Sequence, residues 1–252
     1  MSAKDRMVVI KQIIQKEKKI TVSDLSSKCG VTEETIRKDL TKLETEGLVT
    51  RIHGGAILRT GQTIEGIHYF RRRAMNTHEK QVIAQKAIGL LEGKSTIIAD
   101  SSTTVAEVLK VLPNNKDITV VTNSTEAFRE FAKSEVNVIS TGGEFNKKSM
   151  SLQGYLAKSN IQKYSVEIAL ISCKALDMER GVQDSNEGEA EIKKLMLEQA
   201  EEVALFVDHT KFDRSALVCL LSLDKVDYIV TDTKPDDKWI DFCQEKKIQL
   251  IF

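Results

Sequence analysis

Only two prolines, Pro113 and Pro235, occur in 252 residues, and both fall at expected helix edges, which leaves no Pro-rich spacer or low-complexity segment. The four cysteines, Cys29, Cys173, Cys219 and Cys243, stand far apart and mostly inside apolar runs. That spacing argues against a disulfide framework or a zinc cluster and for reduced core thiols, so no metal and no cofactor is expected. No apolar run approaches the twenty residues of a membrane span, and the first residues lack a signal-peptide core. The expected location is cytoplasmic, with no membrane partner. Net charge is absent as well, with 37 Lys plus Arg balanced by 37 Asp plus Glu. Composition alone therefore does not suggest nucleic acid, but the distribution does. Residues 1–80 hold 16 Lys plus Arg against 10 Asp plus Glu, an excess of +6, which leaves 21 against 27, or −6, for residues 81–252. A basic front on an acidic back suits a chain in which only the front approaches phosphates.

The stretch that organises the front is VTEETIRKDLTKLETEG, residues 31–47. Ile36, Leu40 and Leu43 recur at the spacing of a buried helical stripe, leaving Glu34, Thr35, Lys38 and Lys42 on another face. Thr32 is placed to cap this helix and Gly47 to stop it. Upstream, ITVSDLSSKCG reads as a short helix with Val22, Leu25 and Cys29 inward, then a tight turn, which is helix-turn-helix spacing over about residues 20–39. Before it, Met7, Ile10, Ile13 and Ile14 mark a first, supporting helix. Downstream, LVTRIHGGAIL reads as two short strands around Gly54 and Gly55, a wing with Arg51 and His53 exposed by alternation. This order suits a helix laid in the major groove of double-stranded DNA with a wing on the adjacent backbone. The candidate DNA-contacting residues are Thr32, Glu34, Thr35, Arg37, Lys38, Lys42, Arg51, His53, Gly54 and Gly55.

TIRKDL followed by LETEGLVTRIHGGA resembles the DNA-binding region of the DeoR family of bacterial transcriptional regulators, whose pattern is TIRRDL, a leucine and a glycine, then R-x-HGGA. The likeness covers about the first sixty residues. Lys38 stands where the family has a second arginine; a phosphate contact survives that change, whereas a bidentate hold on guanine does not.

The front unit is expected over residues 3–58 and is α+β. Residues 59–80 break the hydrophobic pattern, carry Arg71, Arg72 and Arg73 in a row, and read as a linker. The three arginines are taken as a solvated run. Residues 81–252 then show seven short apolar runs, STIIAD, ITVVT, NVIS, IALIS, VALFV, YIVT and QLIF, many of them separated by helical segments near 82–91, 103–112, 124–133, 188–201 and 236–246. Continuous apolar strands alternating with helices predict an α/β domain with a largely parallel sheet covered on both faces.

In such sheets ligands sit beyond the carboxyl ends of the strands. The first strand runs into Asp100, Ser101, Ser102, Thr103 and Thr104, hydroxyls and free amides at the positive end of a helix, which is either a phosphate seat or simply a cap. The second runs into Thr122, Asn123 and Ser124, and the third into Thr141, Gly142 and Gly143, where glycines permit close approach of backbone. Later strands deliver Lys174 with Asp177, and Asp208 with His209 and Lys211, candidates for holding sugar hydroxyls or a phosphate. The candidate effector residues are Asp100 to Thr104, Thr122 to Ser124, Gly142, Gly143, Lys174, Asp208 and Lys211.

The pieces DSSTT, TNS, GG, EAEIKK and DHTKF also resemble the DeoR family, in its sensor half, which is similar to the fold shared by ribose-5-phosphate isomerase and CoA transferases. The resemblance implies a repressor of a sugar-metabolism operon that a phosphorylated sugar releases from DNA. Lys174 lies where many members have aspartate, and Asp213 where glycine is common. A homo-oligomer is expected, because one winged unit reads few base pairs. The alternative from another class is a sugar-phosphate isomerase or transferase with an appended DNA-binding module. Asp208, Lys211 and Lys174 supply the residue types for enediol chemistry, without the motif pairing that such chemistry demands.

Overall fold

The structure, a computed structural model, describes residues 3–45, 48–52, 54–58 and 69–252. The chain divides into two compact units, Met1–Arg72 and Arg73–Phe252.

In the first unit, helix α1 (Ala3–Glu17) is followed by strand β1 (Lys19–Thr21), α2 (Val22–Cys29), α3 (Glu33–Thr45), β2 (Val49–Ile52) and β3 (Gly55–Leu58). Ile36, Leu40 and Leu43 of α3 are fully buried with Ile10, Ile14 and Leu25, so the stripe read from spacing is the seam of this core. Thr32 accepts the Thr35 amide at 3.3 Å and caps α3. Gly30 ends α2 in the left-handed conformation, its amide donating to the Ser26 carbonyl. Gly47, expected to stop α3, lies outside the described residues, as does His53. Strand β1 was not anticipated. Ile20 pairs with Ala56, making the wing a three-stranded antiparallel sheet of order β1-β3-β2. A three-residue strand with a single inward residue is too short to leave a periodic signal, and Thr21 at its end already caps α2 through the Asp24 amide.

One interaction of this unit joins distant parts of the sequence. The Arg6 guanidinium on α1 donates to the Asp39 carboxylate on α3 at 2.6 Å, and both side chains are buried. Asp39 of the TIRKDL run therefore faces the core beside Ile36 and Leu40, while Arg37 and Lys38 face outward.

The boundary falls inside α4 (Tyr69–Ala74), and the second unit runs on through α5 (Thr77–Leu91), β4 (Thr96–Ala99), α6 (Thr103–Leu109), β5 (Thr119–Thr122), α7 (Thr125–Glu130), β6 (Asn137–Ser140), a hairpin of β7 (Glu144–Asn146) and β8 (Ser151–Gln153), and α8 (Gly154–Ile161). It then runs through β9 (Val166–Ile171), β10 (Ala175–Asp177), β11 (Gly181–Asp184), α9 (Glu187–Glu198), β12 (Ala200–Phe206), β13 (Val218–Leu221), β14 (Tyr228–Val230), α10 (Asp237–Glu245) and β15 (Gln249–Ile251). Seven of these strands form one sheet of order β15-β14-β12-β9-β4-β5-β6, with every pairing parallel. Each contains or overlaps one of the seven apolar runs of the sequence. Alternation sends Ile97 and Ala99 to one face, against α5 and α6, and Ile98 to the other, against α8 and α9.

Two features depart from the sequence reading. Part of the stretch read as linker is helix from Tyr69 onward, because Tyr69 and Lys80 are both buried, while residues 59–68 lie outside the described residues. A second, small antiparallel sheet, β10-β11-β13, and the β7-β8 hairpin come from runs such as ALD, GVQD and SLQ, whose short polar stretches carry no strand period.

The amino end of the sheet is stapled by Glu167, one carboxylate oxygen of which accepts from the amides and hydroxyls of Ser95 and Thr96 at 2.7–3.0 Å. The Thr96 amide, then the Ser95 hydroxyl and amide, hold this carboxyl down at about 2. A depressed acid contributes stability that is present above its unfolded pKa and lost as pH falls through the folded one. Glu167→Gln is thus expected to cost about 1–2 kcal/mol at pH 7 and nearly nothing at pH 2, compared by urea titration at the two pH values. An equal cost at both would show that the amide replaces the carboxylate only in shape.

Candidate DNA-contacting surface and effector crevice

On α3 the outward side chains are Glu34, Arg37, Lys38, Thr41 and Lys42, which line a shallow surface groove. Arg37 pairs with Glu33 at 2.7 Å and Lys38 with Glu34 at 3.1 Å, one turn back in each case. Exposed pairs of this kind are worth little, so phosphate can displace the carboxylates. Thr35 is half-buried and its hydroxyl lies 3.0 Å from that of Thr32, so both serve the cap.

The wing differs from its sequence reading at Arg51. Alternation predicts an exposed side chain; instead the guanidinium turns back onto α3, donating to the Arg37 carbonyl at 3.2 Å and the Thr41 hydroxyl at 3.1 Å. Its backbone amide donates to Glu44 at 2.9 Å. A long side chain beside a helix edge finds a backbone acceptor there, which pattern alone does not reveal. Arg51 ties the wing to the helix. The two glycines have separate tasks: Gly54 is exposed at φ 76, and its carbonyl accepts the Val22 amide at 2.9 Å. Gly55 is buried against β1, where a Cβ would stand 2.1 Å from the Ile20 carbonyl oxygen.

In the second unit, strands β4, β9 and β12 are neighbours, and their carboxyl ends deliver Asp100, Ser172 and Asp208 to one crevice. Ser172 is its hub. The Ser172 amide donates to Asp100 at 3.1 Å, its carbonyl accepts the Lys193 ammonium at 2.7 Å, and its hydroxyl accepts the Lys211 ammonium at 3.1 Å. Lys193, entirely buried on α9, also pairs with Asp184 at 2.6 Å and Asp100 at 3.1 Å. Burial alone would lower the Lys193 ammonium, but the Asp184 and Asp100 carboxylates outweigh it and raise it above the ordinary lysine range. Burial likewise works to raise Asp184, and Lys193 brings it below the usual carboxylate range. Asp208 behaves similarly: burial opposes ionisation, while Lys211, Thr210 and Asn76 more than offset it.

Of the residues expected here, Asp100, Asp208 and Lys211 are joined directly through this network, and Lys174 adds positive charge beside Asp184. Ser101, Thr103 and Thr104 are buried beside Asp100 at the head of α6. Several others are occupied by the fold itself. The Ser102 hydroxyl accepts the Val105 amide, Ser124 accepts the Ala127 amide, and Thr122 donates to the Ala99 carbonyl. Asn123 donates to the Leu152 carbonyl, which ties β5 to the hairpin. Gly142 and Gly143 follow β6, two strands from β4 and so about 10 Å to one side. Gly143, at φ 104, approaches the Gln153 carbonyl so closely that a Cβ would lie 2.3 Å from it. The glycine pair seats the hairpin.

Sequence reading missed Ser172, Asp184 and Lys193. The signal was present for one of them: Lys193 stands three residues after Ala190 and three before Met196, on the inward stripe of α9, and a lysine there requires a buried carboxylate. Asp213 takes a left-handed conformation at φ 54 and accepts the Trp239 indole at 3.2 Å.

Residues 6–62 match the family model of the DeoR-like helix-turn-helix domain, and residues 75–233 that of the DeoR C-terminal sensor domain. The chain belongs to the DeoR family. It is 37% identical over 251 residues to the HTH-type transcriptional regulator YulB of Bacillus subtilis, covering 99% of this chain and 96% of that one. It is 31% identical over 252 residues to the L-fucose operon activator of Haemophilus influenzae, covering all of both, and 32% identical over 231 residues to a putative aga operon transcriptional repressor of Escherichia coli O157:H7, covering 90% and 86%. Among solved structures, ribose-5-phosphate isomerase A of Methanocaldococcus jannaschii aligns at a TM-score of 0.40 and 17% identity, covering 54% of this chain and 55% of that one. As a DeoR-family member the chain is a DNA-binding transcriptional regulator and not an isomerase or transferase. Its helix-turn-helix half faces DNA and its sensor half faces an effector. Among the described residues, no helix is long and apolar enough to cross a membrane.

Proposed function

We propose that this chain is a cytoplasmic, homo-oligomeric repressor of a sugar-metabolism operon, released from its operator by a phosphorylated sugar held in the Ser172 crevice. Residues 3–58 carry DNA recognition, with Arg37 reading base edges and Lys38, Lys42 and the wing placing the helix on phosphates. Residues 81–252 carry sensing, and 59–80 connect the two. One observation carries the reading: the Lys211 ammonium, 18% exposed, lies at the carboxyl ends of adjacent parallel strands, held among the described residues by Ser172 and a 3.7 Å approach to Asp208. It is a cation that a phosphate can take over, in a crevice whose other carboxylates can accept sugar hydroxyls. Relatives named for the aga and L-fucose operons support sugar control, with opposite signs of regulation.

A thermal-shift panel of sugar phosphates against the free sugars tests the effector. A ligand at a hundredfold over its dissociation constant adds about 2.7 kcal/mol to the native state, an easily read shift. Lys211→Met should abolish that shift, and a panel without any response would remove the sensor reading. Loss of operator binding on adding the stabilising sugar phosphate gives the sign, and tighter binding would make the chain an activator or a corepressed regulator instead.

For the DNA side, Arg37→Ala is expected to cost about 1–3 kcal/mol on the operator and little on random duplex. Lys38→Ala should weaken both alike and lower the salt slope by about 1. Fluorescence anisotropy on the two duplexes over a salt series separates them, and equal losses for both variants on both duplexes would take base reading away from Arg37.

A further inference from the structure

Asn123 follows β5 directly beside Asp100. The strands pair in register, Ala99 with Thr122, so the next residues, Asp100 and Asn123, stand side by side about 4.8 Å apart. Alternation sends both to the face that Ile98 and Val121 fill, the side of α8 and α9. The contacts of the two side chains agree: Asp100 meets Lys193 of α9, and Asn123 meets Leu152 of β8, the strand that leads into α8. Asn123 is buried, and its amide nitrogen donates to the Leu152 carbonyl at 3.1 Å. Turning the carboxamide over would set oxygen against that carbonyl, so Oδ1 is fixed as an acceptor on the other side.

Among the described residues no group donates to that oxygen. Lys193, on the same face, already spends its three protons on the Ser172 carbonyl, Asp184 and Asp100, and the Thr122 hydroxyl is committed to the Ala99 carbonyl. A buried acceptor without a donor is rare in a folded protein, and it marks a place where a further molecule supplies the proton. An ionised phosphate is acceptor throughout and is repelled there; a hydroxyl, the donor that a sugar carries, fits. The distance to the cation adds a second condition. The Lys211 ammonium rests on Ser172 beyond the end of β9, and β4 separates β9 from β5, so Asn123 lies about 10 Å across the crevice from Ser172. A five- or six-carbon chain bridges that span between its phosphate and its far hydroxyl, whereas a triose phosphate reaches only one end.

We propose that Asn123 Oδ1 receives a hydroxyl of the effector and thereby sets its class: a pentose or hexose phosphate that lies across the carboxyl ends of β9, β4 and β5, its phosphate at Lys211 and its far hydroxyl on Asn123. The inference rests on the proposed function in taking Lys211 as the cation of the phosphate. Asn123 then selects for what the phosphate cannot distinguish, the length and hydroxylation of the sugar, because a ligand without that hydroxyl leaves the buried oxygen unpaired.

Thermal melts of the full-length chain over a ligand series test this with three pairs that differ by one hydroxyl remote from the phosphate: ribose 5-phosphate and 2-deoxyribose 5-phosphate, glucose 6-phosphate and 2-deoxyglucose 6-phosphate, fructose 6-phosphate and 1-deoxyfructose 6-phosphate. Glyceraldehyde 3-phosphate and inorganic phosphate complete the set. In wild type at least one parent sugar phosphate should bind roughly tenfold more tightly than its deoxy partner, the scale of one hydrogen bond, and more tightly than the triose phosphate. Asn123→Ala should bind both members of that pair alike, since the double-mutant cycle separates the one contact from any general effect of the substitution. Trp239 emission verifies that the variant is folded, and the wild-type comparison stands without it. A deoxy partner as tight as its parent in every pair that binds, a discrimination that survives Asn123→Ala, or a triose phosphate as tight as the longer sugars would overturn the inference. Loss of binding in Lys211→Met would in each of those cases keep the effector reading standing. Binding by none of the sugar phosphates would remove that reading and this inference together.

Discussion

Lys193→Met is expected to destabilise the sensor unit by about 3–5 kcal/mol at pH 8, read by urea unfolding through Trp239, the sole tryptophan and a fully buried one. Methionine matches the lysine stem in length, so the effect is electrostatic rather than a cavity. It leaves Asp100 and Asp184, both buried, facing one another's surroundings without their shared cation. In the wild type the depressed Asp184 contributes above its unfolded pKa, and the raised Lys193 contributes below its own. Between about pH 5 and 9 both contributions are fully present, and this cluster adds no slope. In the variant, burial without a cation raises an aspartate, and a raised acid is least harmful where it can take up its proton. Stability of the variant should therefore fall as pH rises through neutrality, by up to about 1.4 kcal/mol per unit. A loss below about 1 kcal/mol that is the same at pH 5.5 and pH 8 would mean that water reaches the cluster and the pairing is incidental.

That cluster also marks the limit of what the sequence conveyed. The seven strands of the parallel sheet were legible because a strand buried on both faces leaves a continuous apolar run, and IALIS or VALFV can be little else. The core of the first unit was legible for the related reason that Ile36, Leu40 and Leu43 repeat at helical spacing. Polar roles were not legible in the same way, since they depend on which loop end meets which. DSSTT reads equally as a phosphate seat or a cap and TNS as a polar loop of the same site; Ser102 and Ser124 spend their hydroxyls as caps and Thr122 on a neighbouring strand. Ser172, the residue that touches Asp100, Lys193 and Lys211, is one serine among many in the chain until β9 is seated between β4 and β12. Arg51 carries the same lesson for the first unit: alternation left it exposed and available to DNA, and it is engaged by the Arg37 carbonyl fourteen residues away. Short strands such as β1, β10 and β11 were missed because three or four residues cannot display a period against their flanks.

The second large effect is expected at the wing, where two adjacent glycines should respond in opposite degree. At Gly55 an added Cβ would lie 2.1 Å from the Ile20 carbonyl oxygen and 3.1 Å from the Thr21 Cα, both of them backbone atoms that no rotamer change can move. Gly55→Ala must push β1 away from β3 by about 1 Å, breaking the Thr21 to Gly55 register, and overpacking of this kind costs about 1–3 kcal/mol or more. A winged unit of this size has only about 3–8 kcal/mol of stability in total, so much of it would be lost, and the wing with it. At Gly54 the added Cβ meets nothing within 4 Å, and the penalty is the left-handed backbone alone, about 1–2 kcal/mol. Operator anisotropy and far-UV circular dichroism melts on the full-length chain should thus show Gly55→Ala losing operator binding and the low-temperature part of the melt. Gly54→Ala should bind with a modest deficit, and Gly54→Asn, which tolerates a positive φ, nearly as wild type. Trp239 emission should be unchanged in all three, because the tryptophan reports the other unit. If Gly54→Ala proved the more damaging of the two, the close approach of β1 to β3 would not be what holds the wing in place, and the exposed turn itself would have to be a DNA contact that cannot accept a methyl group.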